Sequence, residues 1–245
     1  MLAEAPNIPL THLVLAALPC LLLLGTMLWQ QLPTDRIWLG LGRMVTQLLL
    51  IGYVLQSIFS AGSPWILFLA MILMTIISAW IAAGSIPGNR HQTWGRAILA
   101  IGLSGSLVAA WTLFLVLGVS PGNLRTAIPL AGMIYANSIN SVSIAGERFA
   151  TEWKNLETSV AVAKRHAFAA AMIPVTNSLL AVGVVSIPGM MTGQILAGAD
   201  PQIAARYQIM VMLMLLSSSG LSALLFLALE SRNKEQERQK QANDS

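Results

Sequence analysis

PGMMTGQILAGADPQIAARYQIMV, residues 188–211, lies between two strongly apolar segments and resembles neither. It is too polar and too glycine-rich to be a bilayer span, and too apolar to be an ordinary solvated loop. Pro188 and Gly189 end whatever helix precedes them, because proline lacks an amide donor and glycine weakens helices. Asp200-Pro201 reads as a fresh helix start, with a capping carboxylate followed by proline at the first helical position. Broken backbone is tolerated at membrane depth only where protein or a water-filled cavity covers it. The stretch is therefore a candidate gate or translocation-path element.

Outward from that stretch the composition is that of a membrane protein. Hydrophobic residues make up 56% of the 245, charged residues only 10%, and the mean hydropathy is +0.69. A soluble domain carries about 25% charged residues. Seven segments are apolar over roughly the 20 residues a bilayer requires: 9–29, 44–61, 64–83, 97–118, 127–145, 167–187 and 207–229. The expected fold is an all-α, polytopic integral membrane protein of about seven transmembrane helices. Residues 1–230 form one permease-like domain with a cytoplasmic insert at about 146–166, and 231–245 form a polar tail expected to be disordered. The first segment resembles a signal peptide in position, but no Lys or Arg precedes it, so a retained helix is expected.

Cation placement sets the orientation. With the N-terminus outside, the inner loops and tail hold twelve of the fourteen Lys and Arg residues, and only Arg125 and Arg206 lie outside. The positive-inside rule thus places the C-terminus in the cytoplasm and demands an odd number of spans. Nothing in the charge pattern suggests nucleic acid, since no basic patch is interleaved with aromatics. Cys20 is the single cysteine, so no intrachain disulfide is possible.

The insert carries both charge and a sticky stripe. Glycine and proline are absent from 147 to 173, which predicts continuous helix there. Phe149, Trp153, Leu156 and Val160 recur at helical spacing and, with Glu157, form a candidate docking face for a cytoplasmic partner. A helix lying on the lipid headgroups would show the same pattern.

Four blocks carry a family resemblance: RMVTQLLLIGYVLQSIF at 43–59, IPLAGMIYAN at 128–137, IPVTNS at 173–178, and VSIPGMM with DPQIAARYQIMV within 185–211. In order, and between matching spans, they identify the chain as similar to the iron-export ABC-transporter permeases, a family that includes plant aluminium-sensitivity membrane proteins. The resemblance runs over nearly the whole chain. It implies a membrane subunit without a catalytic centre or cofactor of its own, paired as a homodimer with a cytoplasmic subunit that binds Mg-ATP. It also implies an inner-membrane location and export of iron or another metal ion. The chain itself has no GxxxxGK[ST] phosphate loop.

One departure bears on coupling. Similar permeases carry a Gly-Ala-Thr-centred turn in the cytoplasmic insert, where an ABC permease presents its coupling helix. Here the stretch reads LETSVAVAKRHAFAAAMIP, without glycine and shortened. A divergent member, an engineered deletion and a permease that folds without transporting all remain open. So does an ATPase-independent channel or carrier.

Within the spans, asparagine is costly in lipid and must find a partner or a cavity. Asn137 and Asn177 are accordingly candidate path residues, together with Pro188, Gly189, Met190, Met191 and Gly193 of the broken segment. The serines, Ser138, Ser141, Ser217, Ser218, Ser219 and Ser222 among them, read as interhelical glue. Gly189 and Gly193 form a small-xxx-small pair suited to close helix approach or a hinge. Most of the twelve methionines read as packing residues, since thioethers suit Cu(I) better than iron, and no metal ligand set is evident. All four lysines lie outside the spans, which excludes a retinal Schiff base, and no span holds a nucleophile–base pair of the kind an enzyme needs.

Overall fold

The computed structural model describes residues 9–61, 63–154 and 159–243. Helices make up its regular structure: α1 (Leu10–Trp29), α2 (Asp35–Ala61), α3 (Pro64–Ala83), α4 (Arg90–Ala110), α5 (Leu124–Trp153), α6 (Val160–Ala181), the short α7 (Gly189–Leu196) and α8 (Pro201–Asn243). A π-helical turn, Trp111–Val116, continues α4. Among the described residues, five helices are long and apolar enough to cross a membrane: α1, α2, α3, α4 with its π turn, and α8. The expected segment 127–145 falls on α5, whereas 167–187 is helical, on α6, only as far as Ala181; both helices have the length but are diluted by polar side chains.

By contacts the chain divides into two units, Met1–Ala61 and Gly62–Ser245. The first contains α1 and α2. Between them Gln31 adopts the left-handed conformation, φ 54°, which turns the chain.

The second unit is a bundle organised around α5, which packs against α3, α4, α6 and α8. Its core is built from small residues that let backbones approach: Ala79 and Ala82 of α3, Ala97 and Ala100 of α4, and Ala131 of α5. Small interfaces of this kind are what lipid-embedded helices use in place of a hydrophobic driving force. Gly146 marks the tightest approach, because a Cβ there would meet the Ile86 side chain and lie 2.9 Å from the Phe226 ring. Three buried serines join helices at the centre: Ser222 Oγ of α8 lies 2.7 Å from Ser104 Oγ of α4 and donates to Ser138 Oγ of α5 at 2.9 Å. At one end of the bundle Arg96 Nε of α4 sits 2.7 Å from Glu230 Oε2 of α8. The N–H does not point along that line, so the contact is an ion pair without a directed hydrogen bond.

Two expectations are corrected. Helix is not continuous across 147–173: α5 ends at Trp153 and α6 begins at Val160. No glycine or proline is needed, because Ser159 is extended and its hydroxyl accepts from the Val162 amide at 3.4 Å, capping a new helix. The turn lets α6 fold back on α5, burying Phe149 with Ala145, Ala163 and Ala167. The polar tail is helical to Asn243 rather than disordered; its Glu, Gln, Lys and Arg residues are good helix formers that propagate the turn already set by α8.

Candidate functional site

The segment that leaves α6 is shaped by local chemistry. Gly183 takes φ +86°, a conformation that disfavours a side chain. Its amide donates to the Ser186 carbonyl at 2.9 Å, closing a tight turn. Pro188 then precedes α7, and Gly198 (φ +93°) ends it, with its amide donating to the Ile195 carbonyl at 2.9 Å. Asp200 Oδ1 accepts from the amides of Gln202 at 2.8 Å and Ile203 at 3.2 Å, so α8 starts on the cap that the Asp-Pro pair predicts.

The irregular stretch forms one wall of a cleft of ≈ 550 Å³. Met133 and Asn137 of α5 face it, as do Val175, Asn177 and Ser178 of α6. Ser186, Pro188, Gly189 and Met190 close one side, and Gln208, Val211 and Met212 of α8 the other. Of the path residues expected from sequence, Asn137, Asn177, Pro188, Gly189 and Met190 come together here. Met191 and Gly193 lie on α7 but do not line the cleft. Among the described residues nothing lies within 4 Å of where a Cβ would stand on Gly189 or Gly193, so neither marks a close helix approach there.

The cleft's polar groups are partly satisfied from within. Asn137 Nδ2 donates to the Met133 carbonyl at 3.1 Å, leaving Oδ1 as the acceptor. Ser178 Oγ donates to the Pro174 carbonyl at 3.0 Å. Gln208 differs: its side chain is buried at 6% exposure, and among the described residues Oε1 has no hydrogen-bond partner. A buried amide oxygen left without a donor costs about 1–3 kcal/mol. Sequence reading passed over Gln208, although an amide set among Ile209, Met210, Val211 and Met212 is as conspicuous as Asn137 or Asn177.

Of the expected docking residues, Phe149, Trp153 and Val160 are described. Phe149 is 1% exposed and stacks on Trp153, with ring centroids 5.9 Å apart at 20°. Trp153 and Val160 are half-buried at the facing ends of α5 and α6. Leu156 and Glu157 lie outside the described residues. Beside them Glu152 receives Arg148 at 2.7 Å and His166 at 3.3 Å, linking the two helix ends. Among the described residues, no group of three or more His, Cys, Asp or Glu side chains is placed to hold a metal ion.

The sequence profile of one family, described as "Uncharacterised protein family (UPF0014)", matches residues 10–234. The chain belongs to the UPF0014 family. Among curated members, a UPF0014 membrane protein of Synechocystis is 35% identical over 220 residues, covering 82% of this chain and 83% of its own length. "Probable iron export permease protein FetB" of Escherichia coli is 32% identical over 212 residues, covering 79% of each chain. "Protein ALUMINUM SENSITIVE 3" of Arabidopsis thaliana is 30% identical over 200 residues, with 76% and 72% covered. No solved structure matches. This UPF0014 chain is a multi-pass membrane protein of a family with a named permease among its members.

Proposed function

We propose that this UPF0014 protein is the membrane-spanning subunit of an ABC exporter for iron or another metal ion. It would work as a homodimer in the inner membrane, driven by a separate subunit that hydrolyses Mg-ATP. The observation that carries the reading is the cleft, where broken backbone, the asparagines of α5 and α6 and a buried glutamine meet in a relative of FetB. Polar side chains at membrane depth that face a cavity are what a solute pathway requires. The reading takes α5 and α6 as spans alongside the five apolar helices, giving seven, with the N-terminus outside as the cation distribution favours. It takes the ends of α5 and α6, with Trp153, Val160 and the connection holding Leu156 and Glu157, as the ATPase-facing surface. Phe149 would support that surface from beneath.

The test is reconstitution in liposomes with the candidate ATP-binding subunit and measurement of ATP-dependent iron flux. Asn137→Leu and Asn177→Leu should each reduce flux more than Ser219→Ala does, at matched incorporation. Equal and small effects would leave those asparagines as packing residues. The shortened 156–174 stretch favours one second reading, an uncoupled permease or ATPase-independent channel. Flux of equal rate with and without ATP would select it.

A further inference from the structure

A second cavity, of ≈ 580 Å³, lies between α4 with its π turn and the first half of α8. Leu107, Trp111 and Val116 form one wall, and Ile209, Leu213 and Leu221 the other. The two helices run antiparallel, since Ser104 meets Ser222 and Arg96 meets Glu230. The cavity is therefore a trough along the helix axes. A smaller cavity of ≈ 390 Å³ shares Leu107 and Leu221 with it and continues it to Leu103 and Leu225. From Arg206 to Leu225 the trough follows α8 for about 28 Å, at about 1.5 Å per residue, close to the thickness of a bilayer's hydrocarbon core. The six wall residues are all exposed, so among the described residues no other side chain of the unit fills the trough.

Charge is confined to one end. Among the described residues, Arg206 is the only charged one that lines either cavity. Its side chain is exposed, and no described carboxylate pairs with it. Toward the other end of the same helix pair, Arg96 is neutralised by Glu230 at 2.7 Å. Arg206 is also one of the two cations that the positive-inside rule leaves on the outer face, so membrane orientation does not account for it.

A guanidinium matches phosphate geometry with paired N–H donors. A soluble anion would use that cation and leave the apolar trough bare. A zwitterionic lipid would bring its own cation beside the phosphate. An anionic glycerophospholipid answers both features, with countercharge at Arg206 and hydrocarbon along the walls.

We infer that the trough between α4 and α8 holds an acyl chain of an anionic glycerophospholipid of the surrounding bilayer, with its phosphate paired to Arg206. The site is separate from the cleft, so it stands or falls apart from the export reading.

Trp111 in the trough wall supplies the readout, because bromine on an acyl chain quenches an indole only at contact. The purified full chain in a neutral detergent is titrated with phosphatidylglycerol or phosphatidylcholine brominated at mid-chain. The Trp111 contribution is the difference between wild type and Trp111→Phe. Saturable quenching of that contribution is expected, with phosphatidylglycerol reaching its midpoint at about fivefold lower concentration, the scale of one basic side chain acting on anionic lipid. The Trp111→Phe protein, which reads the remaining tryptophans, should show no such preference. Arg206→Gln alters an exposed side chain and should bring the two lipids level with helix content unchanged, whereas Arg206→Lys should keep most of the preference.

No quenching of Trp111 by either lipid, equal midpoints in wild type, an undiminished preference in Arg206→Gln, or the same preference at every tryptophan would each overturn the inference. So would quenching that fades as the protein is concentrated at a fixed lipid-to-protein ratio, which would place a second copy of the chain over the trough.

Discussion

Removing one partner of the Arg96–Glu230 pair should destabilise the bundle sharply, while removing both should not. The side chains are 17% and 8% exposed, and Nε lies 2.7 Å from Oε2. Glu230→Leu strands the guanidinium on the second turn of α4 with little water to solvate it. Breaking a buried pair this way costs about 3–5 kcal/mol. The poorly directed N–H and the residual exposure of Arg96 place the expected loss near the lower end, about 3 kcal/mol. For a unit of this size that is a fall in Tm of about 6–12 °C. Trp94, two residues before Arg96 and in edge contact with Trp80 at 5.6 Å, gives an intrinsic fluorescence signal from the same region. The double variant Arg96→Met with Glu230→Leu exchanges two ions for apolar groups and should melt within a few degrees of wild type, since such replacements are often neutral or stabilising. A Glu230→Leu protein melting within about 1 °C of wild type, or a double variant no better than the single, would refute a buried, energetically coupled pair.

Two further outcomes follow from the packing. Gly146→Val should lose about 1–3 kcal/mol by overpacking against Ile86 and Phe226, whereas Gly132→Ala, which has open space at its Cβ, should stabilise α5 by a few tenths to about 1 kcal/mol; equal melting shifts for the two would contradict the close approach at Gly146. Ser222→Ala removes contacts to Ser104 and Ser138 and should cost only about 0.6 kcal/mol, with metal flux unchanged, so a large loss of flux would move these serines from helix association to the pathway.

The parts legible in the sequence were those written in local chemistry. Pro188-Gly189 and Asp200-Pro201 act within a turn of themselves, so α7 and the start of α8 fall where those residues place them. Asn137 and Asn177 were conspicuous because a polar amide within an apolar span has few places to go, and both reach one cleft. The same criterion applies to Gln208 inside the expected span 207–229, but one residue from that span's start it reads as an interfacial side chain, and only the fold buries it.

What escaped the sequence depends on long-range pairing. Arg96 and Glu230 sit at opposite ends of the bundle's chain order, each one residue outside an expected span, and no periodicity links them. The stripe of Phe149, Trp153, Leu156 and Val160 misled for a different reason. It is a stripe only if one helix carries all four residues. Once Ser159 caps a new helix, Phe149 and Val160 belong to antiparallel neighbours, and spacing across the turn has no geometric meaning. Phe149 then has a simpler use as the aromatic that fills the angle between α5, α6 and α8, beside Ala163 and Leu227.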